Sequence, residues 1–198
     1  TFSYANGKYI RYYHNKSKIF EYNQINDIID GESTYYNQKN EPILIIGYEY
    51  DHAKYYIKKS KTGELNEKVE IKDETAEISS SYPNGKTAIT INLVKGNFEG
   101  KQLINNDLGK PEFEANYSKN LLNGERIEYY ANGNLYKKER FKDNNYEGIQ
   151  EYFIENGKPW LTSEYKNDEL HGKTLIYNEG KLVLTKKYDS DELVEIIE

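Results

Sequence analysis

The chain has 198 residues, 21 of them tyrosine, with no cysteine, no methionine and a formal net charge of −6. That composition removes any disulfide framework, and with Lys and Arg dispersed along the chain it argues against a nucleic-acid partner. The longest apolar run, Pro42 to Ile46, is strand-sized, so no transmembrane segment is expected. Aliphatic residues are scarce and 30 % of the chain is charged, which suits a shape that buries one thin layer per segment. The sequence opens at Thr1 rather than Met, so a processed product in a secreted, periplasmic or surface setting is expected, with a cytoplasmic one as the alternative. Richness in Asn, Lys, Ile and Tyr fits an AT-rich bacterial genome.

Self-similarity organises the chain. Units open at Gly7, Gly31, Ala53, Ala76, Gly100, Gly124, Gly148 and Gly172, the last four spaced by 24 residues. A second set of positions follows each opening: Lys16, Asn40, Gly63, Gly85, Gly109, Gly133, Gly157 and Gly180. After each of these the sequence alternates. The first unit continues Lys18, Phe20, Tyr22, the second Leu44, Ile46, Tyr48, and the fourth Ile89, Ile91, Leu93. The fifth gives Phe113, Ala115, Tyr117, the sixth Lys137, Glu139, Phe141, and the eighth Leu184, Lys186, Tyr188. Period-two alternation predicts half-buried strands, and Pro42, Pro111 and Pro159 fall at strand starts, where a missing N–H is tolerated.

A shorter strand precedes each turn, as at Arg126 to Tyr130. Asn84-Gly85, Asn132-Gly133 and Asn156-Gly157 predict hairpin turns in which both residues take φ > 0. The opening Gly of each unit is expected to mark the second turn, with an apolar residue two before it (Phe98, Leu122, Tyr146, Leu170) tucked beneath. The expected fold is therefore all-β: an elongated, twisted antiparallel sheet, a repeat array of about eight consecutive β-hairpins. It forms a single domain over residues 1–198, with Asp191 to Glu198 (DELVEIIE) as a C-terminal cap.

The motif G-x-x-x-x-Y-Y-x-N-G-x-L-x-x-x-x-x-F at Gly124 to Phe141, repeated at Gly148 to Tyr165 and Gly172 to Tyr188, resembles the bacterial variant of the MORN repeat, the YwqK-type antitoxin family. The resemblance is specific across Gly100 to Tyr188 and good at Gly31 to Tyr48. It is weak from Ala53 to Val94, where both opening glycines are alanine. It implies one hairpin per repeat in an elongated sheet, no catalytic residues, and a scaffold that holds other proteins or sits near membranes.

The residues themselves offer little chemistry. His14, His52 and His171 are scattered, and no Ser lies in a Gly-x-Ser-x-Gly setting. No His/Asp/Glu spacing suits a metal, and Asp107, Asp143, Asp168, Asp189 and Asp191 read as solvated turns rather than a calcium loop. Neither an enzyme nor a cofactor or metal site is expected. The unusual feature is aromatic: the pairs Tyr12-Tyr13, Tyr35-Tyr36, Tyr55-Tyr56, Tyr129-Tyr130 and Tyr152-Phe153. Adjacent strand residues point to opposite faces, so one ring of each pair joins the core and the other the outer surface.

Three residues after the turn, on the face expected to be polar, stand Ile19, Ile43, Ala88, Tyr136, Trp160 and Val183. This outer stripe supplies the candidate partner-binding residues Tyr130, Tyr136, Tyr152, Trp160, Ile43 and Val183, because large rigid aromatics suit interfaces. The expected function is a non-enzymatic protein-binding scaffold. The alternatives are a cytosolic antitoxin-like protein that occludes a toxin and, less favoured, a carbohydrate binder.

Overall fold

A computed structural model of the chain describes residues 6–197; residues 1–5 of the expected domain, and Glu198 of the expected cap, lie outside them. The described residues form antiparallel strands and no helix. Two compact units divide the chain, one ending at Glu112 and one beginning at Phe113.

The first unit opens with β1 (Gly7–Tyr12), β2 (Lys18–Ile25), β3 (Ile28–Ile29), β4 (Gly31–Tyr36), β5 (Pro42–Glu49), β6 (His52–Lys59) and β7 (Leu65–Glu70). They form one sheet in the order β1-β2-β4-β5-β6-β7, with β3 also on β2. A second sheet starts with β8 (Ala76–Ser81), β9 (Thr87–Val94), β10 (Asn97–Phe98) and β11 (Gly100–Asn105), where β9 pairs with β8, β10 and β11. The hairpin array is therefore interrupted once, between β7 and β8, in the stretch where the repeat is weakest. There β8 and β9 approach β5 and β6 without joining their ladder. Fully buried Ile43, Leu44 and Ile46 from the first sheet, and Ile78, Ile89 and Ile104 from the second, supply the core of this unit.

The second unit begins within β12 (Pro111–Ser118), at Phe113, and runs through β13 (Leu121–Tyr129), β14 (Leu135–Lys142), β15 (Asn145–Tyr146) and β16 (Gly148–Phe153). It continues through β17 (Pro159–Lys166), β18 (Glu169–Asn178), β19 (Lys181–Asp189) and β20 (Glu192–Ile197). From β12 each longer strand pairs with the next, and β15 folds back on β14. Its inward face is far more polar, with Glu128, Glu139, Gln150, Ser163 and Thr174 buried.

The two kinds of turn exchange the roles the sequence suggested. At Asn132-Gly133 only the glycine has positive φ, at 88°. The Gly133 N–H donates to Tyr130 O (2.8 Å) and the Tyr130 N–H to Asn134 O (2.8 Å), which makes a three-residue turn closed by a left-handed glycine. The turns with φ > 0 at both residues are the junctions between hairpins, such as Lys119-Asn120, Asp143-Asn144 and Asn167-Asp168. The opening glycine is not in a turn. Around Gly172 (φ 105°), Thr174 pairs with Ser163 and Leu170 with Tyr165, so His171, Gly172 and Lys173 face Glu164 alone. Such a bulge needs a residue that accepts a left-handed backbone. In the last hairpin Glu179 and Gly180 both take positive φ, giving a two-residue turn. This is why the interval from Gly157 to Gly180 is 23 residues rather than 24.

One buried carboxylate joins the two sheets of the first unit. The Gln38 N–H, on the β4–β5 turn, donates to Glu112 Oε2 (2.9 Å), flanked by Asn37 Nδ2 to the Tyr82 hydroxyl (3.1 Å) and Lys39 Nζ to Asp107 Oδ2 (2.8 Å). Burial pushes the Glu112 carboxyl up to about 7; the Gln38 N–H and Lys39 oppose that shift, and Asp107 and Glu41 add to it. The folded chain thus keeps a proton that the unfolded chain releases from about pH 4.5, so this group lowers stability as pH rises toward about 7. Glu112→Gln, which keeps an acceptor for Gln38, is expected to raise stability above neutral pH by up to about 3 kcal/mol and to flatten that slope. Urea denaturation across the pH range measures both effects.

Candidate functional site

Seven hairpins carry a one-residue bulge next to the turn, always at the same place, and in the third of them the extra residue is exposed Asn66. Arg11 pairs with Phe20 but Tyr12 with Lys18, which leaves Ile19 extra. The same shift leaves Ile43, Ala88, Tyr136, Trp160 and Val183 extra in their hairpins. The proposed outer stripe is thus the bulge column, and a bulge re-aims its side chain. Ile19, Ile43 and Ala88 are fully buried in the first unit. This corrects the expectation of an outer stripe, and Ile43 presents no surface to a partner. In the second unit the Trp160 ring lies 5.8 Å from Tyr152, whose hydroxyl donates to buried Glu139 (3.3 Å). Trp160 therefore also sits on the inward side.

In the second unit this row is accessible. Trp160 is 40 % exposed, Leu182 54 % and Val183 50 %. Tyr136 is half-buried against Tyr130, edge to face at 5.2 Å. The structure thus brings Tyr130 to Tyr136 and Tyr152 to Trp160, places Val183 in the same column of the next hairpin, and separates Ile43 from them.

The tyrosine pairs occupy different columns. Tyr130, like Tyr13 and Tyr82, stands just before a turn and donates its hydroxyl to a carbonyl 23 residues on: Phe153 O (2.8 Å), Tyr36 O (3.2 Å) and Asn105 O (2.9 Å), respectively. Tyr129 and Tyr36 lie on the outer face and donate to a glutamate of the preceding hairpin, Glu114 (3.1 Å) and Glu21 (2.6 Å). Burial, with Glu114 beside it, pushes the Tyr129 hydroxyl up to about 12.

The turn asparagines do the same work as the inner tyrosines. Nδ2 of Asn15, Asn84 and Asn132 donates to Gln38 O (3.1 Å), Asp107 O (2.7 Å) and Glu155 O (3.0 Å), each one repeat ahead. At the opposite end, the second residue of four junction turns grips the residue two before the opening glycine of the previous unit. The Asn144 N–H donates to Leu122 O (2.9 Å) while its Oδ1 accepts the Leu122 N–H (2.7 Å). Asp51 on Ile29 and Asp191 on Leu170 repeat the pattern, as does Asp168 on Tyr146. Asp168 and Asp191 are therefore clasps rather than merely solvated turn residues.

Beneath the aromatic row lies a charged network that the sequence did not reveal. Arg126 Nε donates to Glu139 Oε2 (2.7 Å), and Lys137 Nζ lies 3.2 Å from Glu139 and 3.8 Å from Glu128. The Tyr146 hydroxyl also donates to Glu139 (2.9 Å). Period-two spacing marked Lys137 and Glu139 as inward-facing, but polarity alone gave no sign that they were buried partners. Burial pushes the Glu139 carboxyl up, but the hydrogen bond and charge of Arg126, with Lys137 and Tyr146, outweigh it and hold it at about 2. Gln150, fully buried, completes the layer. Its Oε1 accepts the Arg140 N–H (2.7 Å) and its Nε2 donates to Arg140 O (3.1 Å), replacing the ladder bonds lost at the bulge.

Among the described residues no group of three His, Cys, Asp or Glu side chains is placed to hold a metal ion. Nor do the described residues include a helix long and apolar enough to cross a membrane. The structure defines the class: an all-β hairpin-repeat protein with antiparallel sheets. Comparison with models of known families and with curated proteins finds no match.

Glu139 is ionised in the fold well below the usual 4.5, so its contribution to stability is present above about pH 4.5 and is lost as pH falls toward about 2. Glu139→Gln leaves Arg126 buried without its anion and is expected to cost about 3 kcal/mol. It should also remove that acid-side slope, measured by thermal denaturation between these pH values.

Proposed function

We propose that the chain is a non-enzymatic, protein-binding repeat scaffold of the MORN-like kind, and that it takes its partner on the inward face of the second unit. The observation that carries this reading is the change in the bulge column. The position holds buried Ile19, Ile43 and Ala88 in three hairpins of the first unit, with exposed Asn66 as the exception, and exposed Trp160 and Val183, with half-buried Tyr136, in the second. An apolar row set over a satisfied polar network suits recognition by a protein: aromatic anchors supply contact area, and their surroundings fix orientation. Tyr130 and Tyr152, held by hydroxyl bonds to Phe153 O and Glu139, support the row as rigid neighbours. Leu182 extends it.

The double variant Trp160→Ala with Tyr136→Ala tests the reading. Affinity capture from the native cell with the wild-type chain should recover a protein partner, and the variant should bind that partner at least about 30-fold more weakly. Its circular dichroism should be unchanged. Undiminished binding by a folded variant would move the site elsewhere.

A further inference from the structure

We infer that Asn156-Gly157 is a site of spontaneous modification, a deamidation site, and that the other two turn-borne Asn-Gly pairs are shielded from the same reaction by the repeat architecture. Asn84, Asn132 and Asn156 share the following glycine, the turn and solvent exposure. In all three the glycine N–H donates to the carbonyl three residues back, 2.8 to 2.9 Å away. In all three Oδ1 accepts the N–H two residues on, from Lys86, Asn134 and Lys158. That bond polarises the side-chain carbonyl toward attack.

The amide nitrogen distinguishes them. Nδ2 of Asn84 is held by Asp107 O and Nδ2 of Asn132 by Glu155 O. Nδ2 of Asn156 has no hydrogen bond among the described residues. The cause lies one repeat ahead, where Glu179-Gly180 forms a two-residue turn. Glu179, at the place of Glu155, takes a positive φ of 50° there, which Glu155 does not, and Asn178 closes the turn opposite Lys181. One residue fewer in that turn removes the acceptor.

The chemistry needs only water. The Gly157 backbone nitrogen gives up its proton and attacks Cγ of Asn156. The Cγ–Nδ2 bond breaks, and Nδ2 leaves as ammonia with the transferred proton. Water then opens the resulting succinimide to aspartate or isoaspartate, with no change in oxidation state. In Asn84 and Asn132 the attack must first break the Nδ2 tether and swing Cγ out of its pinned position. In Asn156 the side chain is held only through Oδ1. The product places a new carboxylate at the turn that leads through Lys158 and Pro159 to Trp160, beside the Lys158–Glu179 ion pair (3.2 Å).

The experiment is peptide mapping by mass spectrometry after prolonged incubation of the folded chain in mildly alkaline buffer. Conversion at Asn156 is expected to outrun that at Asn84 and Asn132 by about fivefold, the factor set by one ordinary hydrogen bond. In strong denaturant the three rates should converge. Inserting one residue between Asn178 and Glu179, to restore the three-residue turn and its acceptor, should slow Asn156 to the rate of Asn132. Equal rates at the three sites in the folded chain, or a preference that persists in denaturant, would overturn the inference.

Discussion

The hairpins of this protein interrupt their ladders at recurring places, beside the turn and at the opening of the unit, and these interruptions leave backbone groups that the neighbouring repeat satisfies. This constraint shapes the rest of the structure. A buried N–H or C=O without a partner is costly, so an array that bulges repeatedly needs a donor and an acceptor at fixed points of the next repeat. The donors are the hydroxyls of Tyr13, Tyr82 and Tyr130 and the amides of Asn15, Asn84 and Asn132. The two-way clasps are Asp51, Asn144, Asp168 and Asp191. Stability in such an array is largely a sum over neighbouring interfaces, and these bonds are that interface. Tyr13, Tyr82 and Tyr130 belong to this work, and Tyr36 and Tyr129 link neighbouring hairpins through Glu21 and Glu114.

The fold class was legible because period-two alternation and a glycine interval of 24 residues are carried by backbone geometry. Strand starts at Pro42, Pro111 and Pro159 came out as expected. The turn chemistry did not, because Asn-Gly suits two different turns. Asn132 is asparagine for the reach of its amide, not for a positive φ. The glycines that mark each unit were equally ambiguous: a residue with φ > 0 serves a bulge as well as a turn. The break between β7 and β8 coincides with Ala53 and Ala76, which replace the opening glycines; at Ala53 the ladder with β5 shifts by only one residue.

The candidate site shows the same limit. The column of Ile19, Ile43, Ala88, Tyr136, Trp160 and Val183 was visible as a column, but parity assigned it to the wrong face. Parity fails by one residue at every bulge, and no local residue type announces the bulge itself. In this column Ile19, Ile43 and Ala88 close a core in the first unit, while the second unit places the larger Tyr136 and Trp160 there, with Trp160 and Val183 exposed. The network of Arg126, Lys137 and Glu139 beneath them shows how the second unit remains folded with so few aliphatics. Charged side chains become tolerable there because each finds a partner.

The lateral clasp is open to a direct reading by amide hydrogen exchange, residue by residue, in the variant Asp168→Ala. Tyr146 lies next to the bulge, and Asp168 accepts its N–H. The account requires the Tyr146 amide to lose protection while the amides of Glu151 and Tyr152, held in the ladder between β14 and β16, keep theirs. Unchanged protection at Tyr146 would contradict the claim that each repeat completes the hydrogen bonding of the one before it.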